Sequence, residues 1–282
     1  MFASFFVTAA LALLAAAAPQ KRQLAQVITQ CTKPNMAALT FDDGPWVYLY
    51  DVSKALKAAG AVGTFFLNGN NYECIYSEAN VKRVKYAYDK GHQIASHTWG
   101  HKNLATLTWD QVHDEMWRVE REVPHQHPLP ETYSLLITYQ RLSSASSVFN
   151  QHSCAHVSRE LQQCSPFSKL RPAFGSYNDN VRAAAANRGQ KIVNWDLDSG
   201  DSVGVSVQES KNRYKEVAQR RPITVLALNH ETQQKSVHEV LPYAIAELQK
   251  AGYKLVTVAE CLGMQPYQWV GTPQARTSDW KC

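Results

Sequence analysis

The chain has 282 residues, 45% of them hydrophobic and 19% charged, with 13 glycines and 12 prolines. That composition supplies a sizeable core and excludes wholesale disorder, a collagen repeat and a coiled coil. Lys and Arg outnumber Asp and Glu by 29 to 24, and the excess is spread without any dense basic run, so no nucleic-acid partner is expected.

In chain order, residues 1–18 hold no charged side chain and end in alanines before Pro19. They read as a secretory signal peptide, because about 18 apolar residues is the short limit for a span and small residues suit cleavage. Residues 19–35 form a lead-in. No second apolar run of that length follows, so no stable membrane insertion is expected. From there strands and helices alternate. Residues 36–41 form an apolar strand that stops at Asp-Asp-Gly-Pro, and 47–59 have helical spacing ending at Gly60. Residues 63–67 read as a strand, 81–90 as a helix and 92–96 as a strand. Thr108 opens a helix with Gln111 in capping-box position. A helix at 182–187, a strand at 191–195, a helix at 206–219, a strand at 223–228, a helix at 237–250 and a strand at 253–257 complete the alternation. Such βα grammar predicts a parallel sheet, and motif residues just after strands predict a barrel with its site at the C-terminal strand ends.

Six cysteines, none in a CxxC pair, point to disulfides in an oxidising compartment rather than a zinc knuckle. Cys31 with Cys261 is expected, as a staple of the chain ends. The partners of Cys74, Cys154, Cys164 and Cys282 are not readable.

Four strand ends carry chemistry. Asp42 and Asp43 are adjacent carboxylates that diverge, which lets one bind a metal while the other faces water or substrate. His97 and His101, at i and i+4, can converge on one cation and complete a two-His, one-carboxylate set with open positions. Arg171 sits in a stiff Arg-Pro-Ala-Phe-Gly segment suited to gripping a carboxylate. His230, at the end of an apolar strand, can serve as a general acid, and Asp198 or Asp201 can set its charge state.

Together these segments resemble the polysaccharide deacetylase family, carbohydrate esterase family 4, in its secreted fungal chitin deacetylase branch. Five motifs occur in order: TFDDGP at 40–45, SHTWGH at 96–101, RPAFG at 171–175, DSGDS at 198–202 and LALNH at 226–230. The resemblance covers residues 39–262. It implies an α/β fold, a distorted (β/α)7 barrel over residues 36–264, and one divalent metal, Zn2+ before Co2+. It further implies removal of N-acetyl groups from chitin or chitooligosaccharides by a secreted monomer.

Carried over, Asp43, His97 and His101 hold the metal, Asp42 is the base, Arg171 orients Asp42, and His230 is the acid tuned by Asp201. The backbone N–H of Phe174 holds the oxyanion, Leu228 lines the acetyl pocket, and Trp99 joins the substrate-binding residues. Two positions depart from the family pattern: Phe174 stands where Tyr is usual and Ser202 where Trp is usual. An esterase of the same fold acting on acetylxylan and a non-catalytic chitin-binding protein are the rival readings.

His101 and Arg171 are 70 positions apart, beyond the family's spacing. The excess, about 123–168, has Pro124, Pro128, Pro130 and a Ser-rich tract without periodicity, and reads as an atypical insert: a lid, a disordered segment or, the favoured reading, translated intron sequence. Residues 265–282 are expected as a C-terminal extension.

Overall fold

The computed structural model describes residues 23–120, 167–268 and 281–282. The expected signal peptide, nearly all of the expected insert and most of the C-terminal extension lie outside the described residues.

Among the described residues nine strands pair in parallel: β1 (Val27–Ile28), β2 (Met36–Gly44), β3 (Thr64–Leu67), β4 (Gln93–Ser96), β5 (Lys169–Leu170), β6 (Lys191–Val193), β7 (Leu197–Asp198), β8 (Thr224–His230) and β9 (Lys254–Val256). The order is β1-β6-β5-β4-β3-β2-β8-β7, with β9 also on β2. The α-helices among the described residues are α1 (Leu49–Ala58), α2 (Glu78–Asp89), α3 (Trp109–Glu120), α4 (Asp179–Asn187), α5 (Val207–Arg220), α6 (Leu241–Lys250) and α7 (Val258–Leu262). This is the curled parallel sheet with flanking helices of the distorted (β/α)7 barrel.

Local chemistry explains the elements. β2 is buried along nearly its whole length, as a central parallel strand covered on both faces must be, and its run Ala37, Ala38, Leu39 and Phe41 is apolar accordingly. α1 buries Leu49, Val52 and Leu56, a 3.6-residue stripe laid on the sheet. The capping box at α3 forms: Gln111 N–H donates to Thr108 Oγ1 and Thr108 N–H to Gln111 Oε1. Ser206 caps α5 by accepting from Glu209 N–H.

The helix expected at 237–250 is two pieces, a π-helical turn (Ser236–Val240) followed by α6. Wide turns of this kind recur at functional sites, and this one delivers Ser236 to the site described below. Cys31 is bonded to Cys261, and the chain's last residue, Cys282, is bonded to Cys74.

Candidate active site

The carboxylates arise where β2 loses its regular register. β2 pairs β8 in step from Met36 with Thr224 to Asp42 with His230, whereas its pairing with β3 shifts between Phe41 and Gly44. Asp43 sits in left-handed backbone, φ 71°, and both neighbouring carboxylates reach His97 Nε2, Asp42 Oδ2 at 3.5 Å and Asp43 Oδ1 at 3.6 Å. Thr98 (φ 72°), His101 (φ 53°) and Phe174 (φ 59°) share that unfavourable region, so four of the six non-glycine residues with positive φ among the described ones belong to the loops of the site. Backbone strain concentrated in this way marks functional loops held by their surroundings.

Asp43, His97 and His101 come together, each offering a ligand atom within 4.8 Å of the others. Asp43 Oδ1 is 3.6 Å from His97 Nε2 and 3.2 Å from His101 Nε2. Ligand atoms at tetrahedral positions around one ion with bonds of ~2.1 Å stand about 3.4 Å apart, so the spacing fits a first-row divalent cation. His97 Nδ1 donates to the Arg171 carbonyl at 2.8 Å, which fixes the tautomer and turns the bare Nε2 toward the carboxylates. Burial lowers the pKa of both imidazoles, more than the nearby carboxylates raise it, and so keeps them in the neutral form that ligation requires. Burial raises that of Asp43, partly offset by His97 and His230. Asn71 Nδ2 donates to Asp43 Oδ1 at 3.5 Å.

Asp42 is buried behind this cluster and gripped by Arg171, whose Nη1 donates to Asp42 Oδ1 at 2.9 Å. Arg171 is wholly buried, yet its guanidinium is well provided for: Nε donates to the Val193 carbonyl, Nη2 to that of Asn194 and Nη1 also to Thr40 Oγ1. Its Cζ lies 4.2 Å from the Phe66 ring centroid. A buried cation with this many acceptors and a paired anion is a rigid positioning device.

Across β2, His230 Nδ1 donates to Asp201 Oδ1 at 2.7 Å, and the His230 backbone N–H donates to Asp201 Oδ2 at 2.8 Å. Ser236 Oγ donates to the same Oδ2 at 2.6 Å. Burial opposes charge on His230, but Asp201, aided by Asp42 and Asp43, outweighs it and lifts the pKa to about 9. Burial likewise opposes the Asp201 carboxylate, and its hydrogen bonds with His230 and Ser236 outweigh that, lowering its pKa. Asp198, the other candidate for this task, instead accepts from Gly200 N–H and shapes the turn.

Phe174 is 68% exposed with its ring centroid 4.7 Å from that of His101, an open aromatic face beside the cluster. Leu228 is buried on β8, and Ser202 is exposed in the turn after Asp201. Trp99 requires a correction. It is 5% exposed, and its ring is packed against Gly69, where a Cβ would lie 1.9 Å from a ring carbon, and under the Arg118 guanidinium. No ring face remains for a sugar, so Trp99 is a core residue that fits only because position 69 is glycine.

Sequence reasoning missed Ser236, Asn71 and Glu231, a wholly buried carboxyl one residue past His230 whose Oε1 accepts from Trp46 N–H at 2.9 Å. Burial raises its pKa well above the ordinary range.

A parallel barrel whose strand ends gather a two-His, one-Asp cluster, a clamped carboxylate and an imidazole–carboxylate pair defines a metal-hydrolase type of site. The polysaccharide deacetylase family model matches residues 29–134. A chitin deacetylase of Pestalotiopsis sp is 30% identical over 280 residues, 95% of this chain and 79% of that one. A chitin deacetylase of Colletotrichum lindemuthianum is 26% identical, covering 95% and 98%. The chain belongs to the polysaccharide deacetylase family. Its fold matches the solved structure of the chitin deacetylase from Colletotrichum lindemuthianum with a TM-score of 0.68 and 24% identity, covering 87% of this chain and 96% of that one. It also matches a pseudoenzyme of carbohydrate esterase family 4 from Bacillus anthracis, TM-score 0.60 and 20% identity, covering 84% and 69%. The fold is thus compatible with both activity and its loss, and catalysis depends on the side chains it carries.

Proposed function

We propose that the chain is a secreted, divalent-metal-dependent hydrolase that removes N-acetyl groups from chitin or chitooligosaccharides, leaving glucosamine and acetate. The observation that carries this reading is the pairing, on adjacent strands in register, of a clamped carboxylate at Asp42 with an imidazole at His230 beside the Asp43, His97 and His101 cluster. Chitin deacetylases among the relatives supply the substrate class. Two disulfides and the apolar start at residues 1–18 support secretion.

Asp43, His97 and His101 would hold the cation, Zn2+ before Co2+. When bound, it would polarise the acetamide carbonyl and acidify water at the site. Asp42 takes the proton of the attacking water, and Arg171 aims the carboxylate. The backbone N–H of Phe174 donates to the developing oxyanion, and Leu228 packs against the acetyl methyl. His230, held protonated by Asp201, gives its proton to the leaving amine.

Metal analysis of the purified protein, coupled to acetate release from chitopentaose and from acetylxylan, tests the reading. One equivalent of divalent metal with release from chitopentaose, lost on chelation and restored by Zn2+, is the expected result. Release from acetylxylan alone would make the chain an O-deacetylase. Oligomer binding by metal-loaded protein without any release would make it a glycan-binding protein.

A further inference from the structure

Glu231 has no role in the chemistry described so far, yet it is wholly buried beside the site. It follows His230 at the end of β8, one step beyond the register pair Asp42 with His230, and so lies level with the turn that leaves β2. Its Oε1 reaches under that turn to accept the Trp46 N–H at 2.9 Å, across 185 positions of sequence.

Gly44 shows how close the approach is. A Cβ at position 44 would lie 1.7 Å from Glu231 Oε1 and 2.5 Å from its Cδ. Gly44 is not among the glycines with positive φ, whereas Asp43 before it is left-handed at 71°. The Glu231 carboxyl thus occupies the space that a side chain at 44 would take, and a Cβ there would displace it. Oε2 makes no hydrogen bond.

A buried acceptor joined to one backbone N–H, in a niche that only glycine leaves open, is placed to fix where the chain goes immediately after Asp43. The Gly44 carbonyl is fixed from the other side, by Asn68 N–H at 2.8 Å. We propose that Glu231 is a positioning residue for the metal centre: by accepting from Trp46 N–H it braces the 44–46 turn and holds the Asp43 carboxylate at the point shared with His97 and His101. The proposal rests on the metal-centre reading above. It makes Glu231 act as an oxygen acceptor, without proton transfer and without contact with substrate.

The test is the Zn2+ dissociation constant of folded protein, by competition with a chromophoric chelator. Melting temperature and hydrogen exchange of the Trp46 amide are followed in parallel on metal-free protein. Glu231→Leu, which keeps the volume and removes the acceptor, is expected to weaken Zn2+ binding roughly tenfold or more, the range seen when support behind metal ligands is removed. It should also speed exchange at Trp46. Glu231→Gln keeps an oxygen acceptor and is expected to restore both. Gly44→Ala, which drives the carboxyl out of its niche while leaving residue 231 unchanged, is expected to weaken Zn2+ like Glu231→Leu, and it serves also if the Leu variant does not fold.

A merely structural role would lower the melting temperature and leave the Zn2+ constant of the folded protein alone, and that result overturns the proposal. So does a Gln variant that binds Zn2+ as weakly as Leu, which would mean that the charge is what matters. Wild-type protein that binds no Zn2+ would refute the metal centre itself, a failure distinct from wild-type affinity retained in Glu231→Leu.

Discussion

The two flanks of the site solve the same electrostatic problem with opposite signs. On one, an anion proposed to act as base, Asp42, is gripped by a buried cation, Arg171. On the other, a cation proposed to act as acid, His230, is gripped by a buried anion, Asp201. Asp42 and His230 are register partners on adjacent strands, so the fold puts the proposed base and the proposed acid side by side, and each partner of opposite charge arrives from a different strand end. The flanks differ in what else holds the partner. Arg171 is locked by the Val193 and Asn194 carbonyls, which belong to the sheet and its immediate exit, whereas Asp201 sits in a turn and is steadied by Ser236 from a π-helical turn. The first flank is built into the barrel, and the second is assembled from loops. Losses on the first should therefore be large and mixed with stability, and losses on the second smaller and expressed in pH dependence.

The largest effect is expected at the base. Asp42→Asn removes the proton acceptor but keeps the shape, and should cut turnover by about 10³-fold while one equivalent of metal remains on elemental analysis. Loss of metal with that change would mean that the two adjacent carboxylates have exchanged roles. Arg171→Met comes next. Leaving Asp42 buried without its cation should cost about 3 to 5 kcal/mol in chemical denaturation and much of the activity. If stability is unchanged, the first flank is not the rigid one.

The first and last motif positions were legible because β2 and β8 are largely apolar runs that end abruptly in polar residues, and a strand end in a parallel barrel is where chemistry is placed. Asp42, Asp43 and His230 are singled out this way, His97 and His101 by their i, i+4 spacing after a strand, Arg171 by its stiff proline-bearing segment and Asp201 as a residue following another strand, and the structure brings them into one region. The misses have physical causes. β1 and β7 are two residues each, too short for any period. Trp99 lies inside a motif and reads as functional, yet its position is decided by a glycine 30 positions earlier. Glu231 after a strand-end His looks like a solvated turn residue, because nothing local announces a partner 185 positions away.

On the second flank, Asp201→Asn removes the charge that, against burial, holds His230 near a pKa of about 9. His230 has to be protonated to donate. Activity should therefore fall as pH rises through the His230 pKa, and lowering that pKa moves the alkaline limb of kcat/KM downward. A shift of about one to two pH units is expected, with little change below pH ~6, where the imidazole is charged in both forms. An unmoved limb would assign that titration to another group.

Ser236→Ala should give the smallest effect and the sharpest reading of the comparison. Asp201 Oδ2 accepts from both the His230 backbone N–H and Ser236 Oγ, so the serine is one of two donors to that oxygen, while Oδ1 keeps its bond to the imidazole. Removing the hydroxyl leaves one donor fewer to hold the carboxylate in line with the imidazole, and so loosens its grip on the imidazolium. The alkaline limb should then move in the same direction as in Asp201→Asn but by only a fraction of a unit, since one hydrogen bond to a charged group is worth about 1.5 to 3 kcal/mol and the neighbouring N–H can take up part of the loss. Ser236→Thr, which restores a hydroxyl, should bring the limb back, and KM should stay constant throughout because Ser236 touches no part of the site that meets substrate. A change in KM without movement of the limb would place Ser236 in the shape of the loop rather than in the charge of His230, and the two flanks would then differ in kind rather than in rigidity.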